Sequence, residues 1–207
     1  MEPRTQADLW NERYTRAFES YGTDPNDYLR EVADRIPDGP VLCLAEGEGR
    51  NAVFLAGRGH PVTAVDLSEV GLAHARSLAA DRGVILETVV ADLAAYEFGE
   101  SRWAGIVSIW AHVPSALRPD LHAACARALR PGGAFVLEAY TPRQLTRPGI
   151  GGPPSADALP TAAELRHDLS GLRIEHCRET DRDITEGKYH HGPSSTVQVL
   201  AFKTGQP

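Results

Sequence analysis

The order of its apolar segments predicts that this chain folds as an α/β protein with a doubly wound, mostly parallel sheet. Three observations carry the prediction. From Val41 to Tyr140, short apolar runs alternate with helix-like stretches, the order of successive βαβ units with helices on both faces of the sheet. The first run ends in Ala45-Glu46-Gly47-Glu48-Gly49, a glycine turn between strand and helix. Two late segments, 172–180 and 196–202, read as strands with no helical segment between them. They are expected to form a long hairpin that puts one antiparallel strand into the sheet.

Each element has its own justification. Residues 5–19 read as an amphipathic helix, with Trp10 one turn before Tyr14. The turn "YGTDPND" follows, and Pro25 suits the first turn of a second helix ending near Ile36. Pro37-Asp38-Gly39-Pro40 breaks the chain. The first strand is then 41–45, followed by a helix over 51–58 that Gly57 and Gly59 help to stop. A second strand, 62–66, leads to Ser68, an N-cap whose third position is Gly71, for a helix to about Arg82. Strands are expected at 84–90 and 105–110, the latter apolar throughout, as a strand covered on both faces should be. A helix over 118–129 is ended by Pro131-Gly132-Gly133, and a strand over 134–140 follows. The segment 141–160 is rich in Pro and Gly and lacks periodicity. Its position after the fifth strand makes it a flap over the ligand end of the sheet. A helix over 161–169 precedes the hairpin. The whole chain reads as one domain, with an N-terminal helical segment at 1–36, a core at 41–140, the loop at 141–160 and the closing helix and hairpin at 161–203.

Composition narrows the function. With 207 residues and 42% hydrophobic content, a full core is within reach. The formal net charge is −7 and the arginines are interleaved with acids, so nucleic acid is not the expected partner. No apolar run approaches the ~20 residues of a membrane span, and the start lacks a signal-peptide core. Three well-separated cysteines (Cys43, Cys125, Cys177) form no CxxC pair, so no disulfide framework and no metal site is expected. A cytoplasmic monomer or homodimer acting on a small molecule fits these numbers.

Ligands of doubly wound sheets bind beyond the carboxyl ends of the strands, at the switch point. Gly47-Glu48-Gly49-Arg50-Asn51-Ala52 fits the loose dinucleotide pattern. Glu46 and Glu48 would repel a pyrophosphate and suit a cationic ligand instead. Asp66 ends the second strand, 19 residues after Gly47, where a carboxylate accepts ribose hydroxyls. Asp92 is placed to meet an adenine amino group, with Leu67 and Leu93 on either side of the ring.

At these residues the sequence resembles the class I S-adenosylmethionine-dependent methyltransferases. "LAEGEGRN", "VTAVDLS", "VVADL", "IVSIWAHVP" and "LRPGGAFVLEAY" stand in that family's order. "WNERY", "YGTDPND" and "EGKYHHG" resemble the small bacterial tellurite-resistance and thiopurine-type members. Many of the family carry an acid two residues before the first glycine, where this chain has Ala45. The resemblance implies a seven-stranded Rossmann-like sheet, S-adenosylmethionine as cofactor with S-adenosylhomocysteine as product, and an N-terminal lid containing Tyr14 and Tyr21. The cofactor set expected is Tyr14, Tyr21, Ala45, Glu46, Gly47, Gly49, Arg50, Asn51, Asp66, Leu67, Ser68, Asp92, Leu93 and Ser108. Which of Glu46 and Glu48 faces it stays open.

Methyl transfer from a sulfonium is an in-line displacement that needs orientation and a dry site more than acid–base chemistry. An already ionised thiol needs no base; an alcohol or amine does. The candidates for that base, or for orienting the acceptor, are His112 after the fourth strand, Tyr140 after the fifth and His190 in the hairpin turn. His74, His122 and His167 read as surface residues of helices. The absence of an Asn/Asp-Pro-Pro-aromatic motif after the fourth strand points away from a DNA base. The expected acceptor is a small soft nucleophile, a thiol or a chalcogen oxyanion. A nicotinamide-dependent oxidoreductase and a non-catalytic nucleotide-binding module are the alternatives.

Overall fold

The computed structural model describes residues 4–16 and 20–205. Its helices are α1 (Gln6–Arg16), α2 (Asp27–Val32), α3 (Arg50–Gly57), α4 (Glu69–Asp81), α5 (Arg118–Ala128) and α6 (Ala162–Asp168). Its strands are β1 (Val41–Leu44), β2 (Val62–Asp66), β3 (Leu86–Val90), β4 (Trp103–Ile109), β5 (Leu129–Tyr140), β6 (Arg173–Glu186) and β7 (His190–Phe202). They form one seven-stranded sheet in the order β3-β2-β1-β4-β5-β7-β6. β1 to β5 run parallel, and β7 is antiparallel to both β5 and β6. The chain order reverses between β1 and β4, which makes their carboxyl ends the switch point.

Period-2 alternation decides which face each strand residue serves. Leu42 and Leu44 pack on one face with Ile106, Phe135 and Leu137, under Leu121 and Cys125 of α5 and Leu165 of α6. Val41 and Cys43 pack on the other with Val107 and Val136, under Leu29 of α2, Leu55 of α3 and Leu72 of α4. Burying such a side chain is worth roughly 1.5–3 kcal/mol, so a one-residue slip of a central strand would exchange the two cores. β3, at the sheet edge, is only half-buried.

Local signals place the helices well. Ser68 Oγ accepts from Gly71 N at 3.0 Å, the expected cap of α4. Thr161 and Glu164 form a reciprocal capping box at α6. Other expectations shift. Pro25, expected in the first turn of the second helix, lies just before α2, which Asn26 caps, its side chain accepting from Leu29 N at 2.9 Å. Of the helix expected over 5–19, α1 is described to Arg16, and residues 17–19 lie outside the described residues. Pro131-Gly132-Gly133 does not separate α5 from the strand but lies within the start of β5, where Gly132 N donates to Lys203 O. The hairpin is longer than expected. β6 and β7 run on past β5 as a two-stranded ribbon to the turn at Gly187, so His190 is a strand residue rather than a turn residue. His122 is buried beside Asp168 at 3.4 Å, and His74 is half-buried against Glu48 at 3.0 Å. Neither is the surface residue expected. All three cysteines are free and buried.

Candidate active site

The glycine cradle is built first from backbone. Beyond β1, Ala45, Gly47 and Gly49 all have positive φ (48°, 60° and 87°). Asp66 ties the turn to β2: its carboxylate accepts from Gly47 N at 2.9 Å and from Ser68 N at 2.8 Å. Burial raises the Asp66 carboxyl above its usual range, against the pull of those amides. Glu46 turns onto the start of α3, accepting from Asn51 N at 3.0 Å and Ala52 N at 2.9 Å. Burial pushes its carboxyl up to about 7 despite those bonds and the Arg50 charge. Glu48 instead points to His74 of α4. Glu46 and Glu48 therefore serve different elements.

Helix α1 lies on this cradle. α1 packs on α4, with Asn11 Oδ1 accepting from Ser68 Oγ at 2.6 Å. Tyr14 is buried over the glycine turn, and a Cβ at Gly47 would stand 2.3 Å from its hydroxyl. Gly71 of α4 accommodates the other side of the ring, at 3.0 Å from a Cβ placed there. Tyr14 meets Tyr21 edge-on at 6.2 Å, and Tyr21 meets His190 at 4.7 Å. Aromatic rings thus run unbroken from the glycine turn to the hairpin.

Arg50 and Asn51, expected against the cofactor, send their side chains elsewhere. Asn51 Oδ1 accepts from Asn26 N at 2.9 Å. Arg50 donates to Glu186 at 2.5 Å and to the Asp24 carbonyl at 3.2 Å. They join the start of α3 to the turn 21–27 and to β6. Asp92 is exposed, its side chain accepting from Ala94 N at 2.9 Å in a turn after β3. Leu67 and Leu93 are half-buried, Leu93 against the core. Ser108 is buried within β4, paired in register with Leu137.

The other half of the site is aromatic. Trp110 follows β4 with φ of +58°, a strained conformation for a bulky residue and one that concentrates at functional sites. Its backbone N donates to the Glu138 carbonyl at 2.9 Å and its indole to Glu186 at 2.8 Å. Tyr140 stacks on Trp110 at 4.3 Å, and His190 stands edge-on to both, at 5.0 and 5.5 Å. Beneath lie Leu159 and Ile184. The loop 141–160 closes the other side. Ile150 bridges to His191, and a Cβ at Gly151 would stand 2.0 Å from the Tyr140 hydroxyl.

A buried charge network supports this half. Glu138, fully buried, accepts from Asn26, Arg182, Thr196 and Gln198. Glu186 accepts from Asn26, Arg50, Trp110 and Arg182. Burial works to raise the Glu186 carboxyl, but Arg50, the indole and Arg182 outweigh it and hold it at about 2. Nothing in single-sequence patterning marks Asn26, Arg182 or Glu186. Glu138 leaves a weak trace as a lone charge among the buried residues 134–140.

The three acid–base candidates come together at this end of the sheet, but none is free to take a proton near neutral pH. His112 Nδ1 faces the Trp110 carbonyl at 2.9 Å, and its Nε2 accepts from Tyr140 N at 3.1 Å. Both nitrogens are spent on backbone, and burial holds the ring's pKa down to about 4. Burial, then the Arg50 charge, depress His190 to about 3. Burial raises the Tyr140 hydroxyl far above its usual range. The geometry therefore makes His112 a clamp between the ends of β4 and β5, not a base.

Comparison with known proteins agrees with this architecture. Residues 41–133 match the family model described as a methyltransferase domain. The 2-heptyl-1-hydroxyquinolin-4(1H)-one methyltransferase of Mycobacteroides abscessus is 27% identical over 137 residues, 65% of this chain and 60% of that protein. The alignment thus spans less than two thirds of that relative's length. Among solved structures, the one describing conversion of a disulfide bond into a thioacetal group during echinomycin biosynthesis superposes with a TM-score of 0.75 at 21% identity, covering 97% of this chain and 92% of that one. TehB from Haemophilus influenzae gives 0.72 at 18% identity, over 94% of this chain and 67% of that one. The glycopeptide N-methyltransferase MtfA, solved with S-adenosylmethionine, gives 0.61 at 22%, over 87% and 95%. Residues 41–133 thus carry the match to a methyltransferase domain, and the solved structures share the fold of nearly the whole chain.

Proposed function

We propose that the chain transfers a methyl group from S-adenosylmethionine to a small soft nucleophile of the thiol or chalcogen-oxyanion class. The observation that carries the reading is a glycine cradle with its Asp66, set beside an aromatic site that offers no base. The cradle fits the cofactor: a side chain at Gly47 would fill it, and Asp66 lies against it with a carboxylate suited to ribose hydroxyls. Asp92, Leu67 and Leu93 would hold the adenine, and Tyr14 with Tyr21 would cover it. S-adenosylmethionine, when bound, supplies an electrophilic methyl on a sulfonium. Trp110, Tyr140 and His190 would orient the acceptor and exclude water, a contribution worth up to roughly 7–11 kcal/mol in model reactions. Because His112 is committed to backbone and His190 stays neutral, the acceptor must bring its own anion, as a thiol near pKa ~8.5 can.

The names of similar proteins lean the same way for sulfur, through the thioacetal-forming structure. The Mycobacteroides abscessus relative acts on a hydroxyquinolone, and that acceptor class belongs in any test. Thermal shift with S-adenosylhomocysteine and with NAD separates the cofactor readings. A ligand at 100 times its dissociation constant adds about 2.7 kcal/mol of stability. Stabilisation by S-adenosylhomocysteine alone is expected. Stabilisation by NAD alone would make the chain an oxidoreductase or a binding module.

A further inference from the structure

Two buried polar atoms in the aromatic half have no hydrogen-bond partner among the described residues: Tyr140 Oη and His190 Nδ1. Their residues are 0% and 8% exposed. An orphaned buried donor or acceptor costs about 1–3 kcal/mol, and native structures tolerate few. Here two stand in one cluster, their rings 5.5 Å apart and both against Trp110. Other polar groups around them are satisfied. The Trp110 indole goes to Glu186, His112 to backbone, and Tyr21 Oη accepts from Arg13 at 3.0 Å. The two free atoms therefore stand out at the end of the aromatic path that begins on the glycine turn.

We propose that Tyr140 Oη and His190 Nδ1 are a two-point grip for the nucleophilic atom of the acceptor, in a box that admits a soft, singly charged anion and rejects a hard oxyanion. This rests on the methyltransferase reading and narrows its acceptor class. Charge balance carries the second half of the statement. The guanidiniums behind the box, Arg50 and Arg182, are paired with the carboxylates Glu186 and Glu138, and Arg182 reaches Asp27 as well. The remaining nearby cations, Arg13 and Lys188, are exposed at the rim over the Tyr189 ring. The grip is thus made of neutral groups. Neutral donors satisfy a diffuse thiolate, but they replace poorly the hydration of a compact oxyanion, which calls for charge-assisted donors. The phenol stays protonated, so Tyr140 is a constant donor. The imidazole is the second donor in its Nδ1–H tautomer.

The test uses the whole chain saturated with S-adenosylhomocysteine, so that nothing turns over, and 4-nitrothiophenol as probe, read from the thiolate's absorbance. Wild type should bind the thiolate, and selenite should not displace it. Tyr140→Phe and His190→Leu should each weaken binding by about 10- to 100-fold, the span expected for one hydrogen bond to a charged group. His190→Asn, which can return an amide N–H near the Nδ1 position, should recover part of the loss. S-adenosylhomocysteine affinity should not move in any variant. Thiolate binding unchanged in both Tyr140→Phe and His190→Leu, absence of thiolate binding to wild type, or displacement by selenite would overturn the proposal. If a variant melts early, the other carries the comparison. A wild type that does not bind S-adenosylhomocysteine would bring down the cofactor reading instead, and the grip would then be judged from the thiolate titration of the chain alone.

Discussion

The two halves of the site are held by different means. Around β1 and β2 the work is done by backbone: glycines in left-handed conformations, amides aimed at Asp66, and a capped α4. Around β4, β5 and β7 it is done by side chains brought together from across the sequence, with Asn26, Glu138 and Glu186 meeting over separations of 112 and 160 residues. The first kind of site depends on backbone and on one side chain, Asp66. The second depends on many side chains at once.

The largest expected effect is in the side-chain half. Glu186→Gln removes the charge that faces both Arg50 and Arg182, and breaking a buried pair costs about 3–5 kcal/mol. Denaturant titration at pH 7 measures this. Acid gives a second view. The Glu186 carboxyl sits at about 2 in the folded chain, against an ordinary 4.5. Its contribution is therefore complete above pH ~4.5 and lost as pH falls toward 2, a change of roughly 3 kcal/mol. The variant should lack that acid-sensitive part. An equal slope in both chains over this window would contradict the charge account.

Next comes the backbone half. Gly49 has φ +87°, and a Cβ there would stand 2.5 Å from Ala75 Cβ and 2.7 Å from its Cα in α4. Gly49→Ala adds left-handed strain of about 1–2 kcal/mol to a clash with a helix backbone that costs about as much again. Its melting temperature should fall while Ala→Gly changes on exposed helix positions elsewhere act weakly. Unchanged melting would show that the turn can be rebuilt.

A smaller effect separates His190 from its surroundings. Burial and Arg50 hold it at about 3, with Glu186, His112 and Arg13 also facing it. A depressed folded pKa means full stability above the unfolded value of ~6.5 and loss as pH falls toward 3. Between pH 6.5 and 5 this amounts to about 2 kcal/mol. Glu46 and Asp66, raised by burial, act with the opposite sign over part of that range, so the readout is the difference between wild type and His190→Leu. That difference should narrow as pH falls. A pH-independent difference would mean that His190 titrates alike in the folded and unfolded chain, and would contradict its depressed pKa. Smallest of all, Ala45→Gly should relieve a left-handed alanine at φ +48°. Glycine's larger unfolded-state entropy offsets the gain, leaving under ~1 kcal/mol in a melting experiment.

This contrast also explains what the sequence made legible. The cradle could be read because its logic is local: Gly47, Gly49, Asp66 and Ser68 act within a few residues of a strand end. The mostly parallel sheet with its antiparallel closing hairpin followed from alternation and from the missing helix before β7. Within the aromatic half, Trp110, Tyr140 and His112 were visible as residues after strand ends, but their bonds were not. His112 lost its expected role to two backbone contacts that only the β4–β5 pairing creates. The expected strands, 172–180 and 196–202, leave His190 in a turn; the pairing of 181–186 with 190–195, held by the buried network, extends both strands and takes His190 in. Arg50 and Asn51 were read toward the cofactor because they follow the glycines, yet Asn26 and Glu186 claim their side chains.

One calorimetric experiment tests the division of the site most directly. S-adenosylhomocysteine is titrated into wild type, Asp66→Ala and Tyr140→Phe. Wild type and Tyr140→Phe should bind it with the same affinity, and Asp66→Ala should bind it about 10- to 100-fold more weakly, the loss expected when hydrogen bonds to a carboxylate disappear. No binding by wild type, or equal weakening in both variants, would contradict a cofactor site built on the backbone half and an acceptor site built on the other.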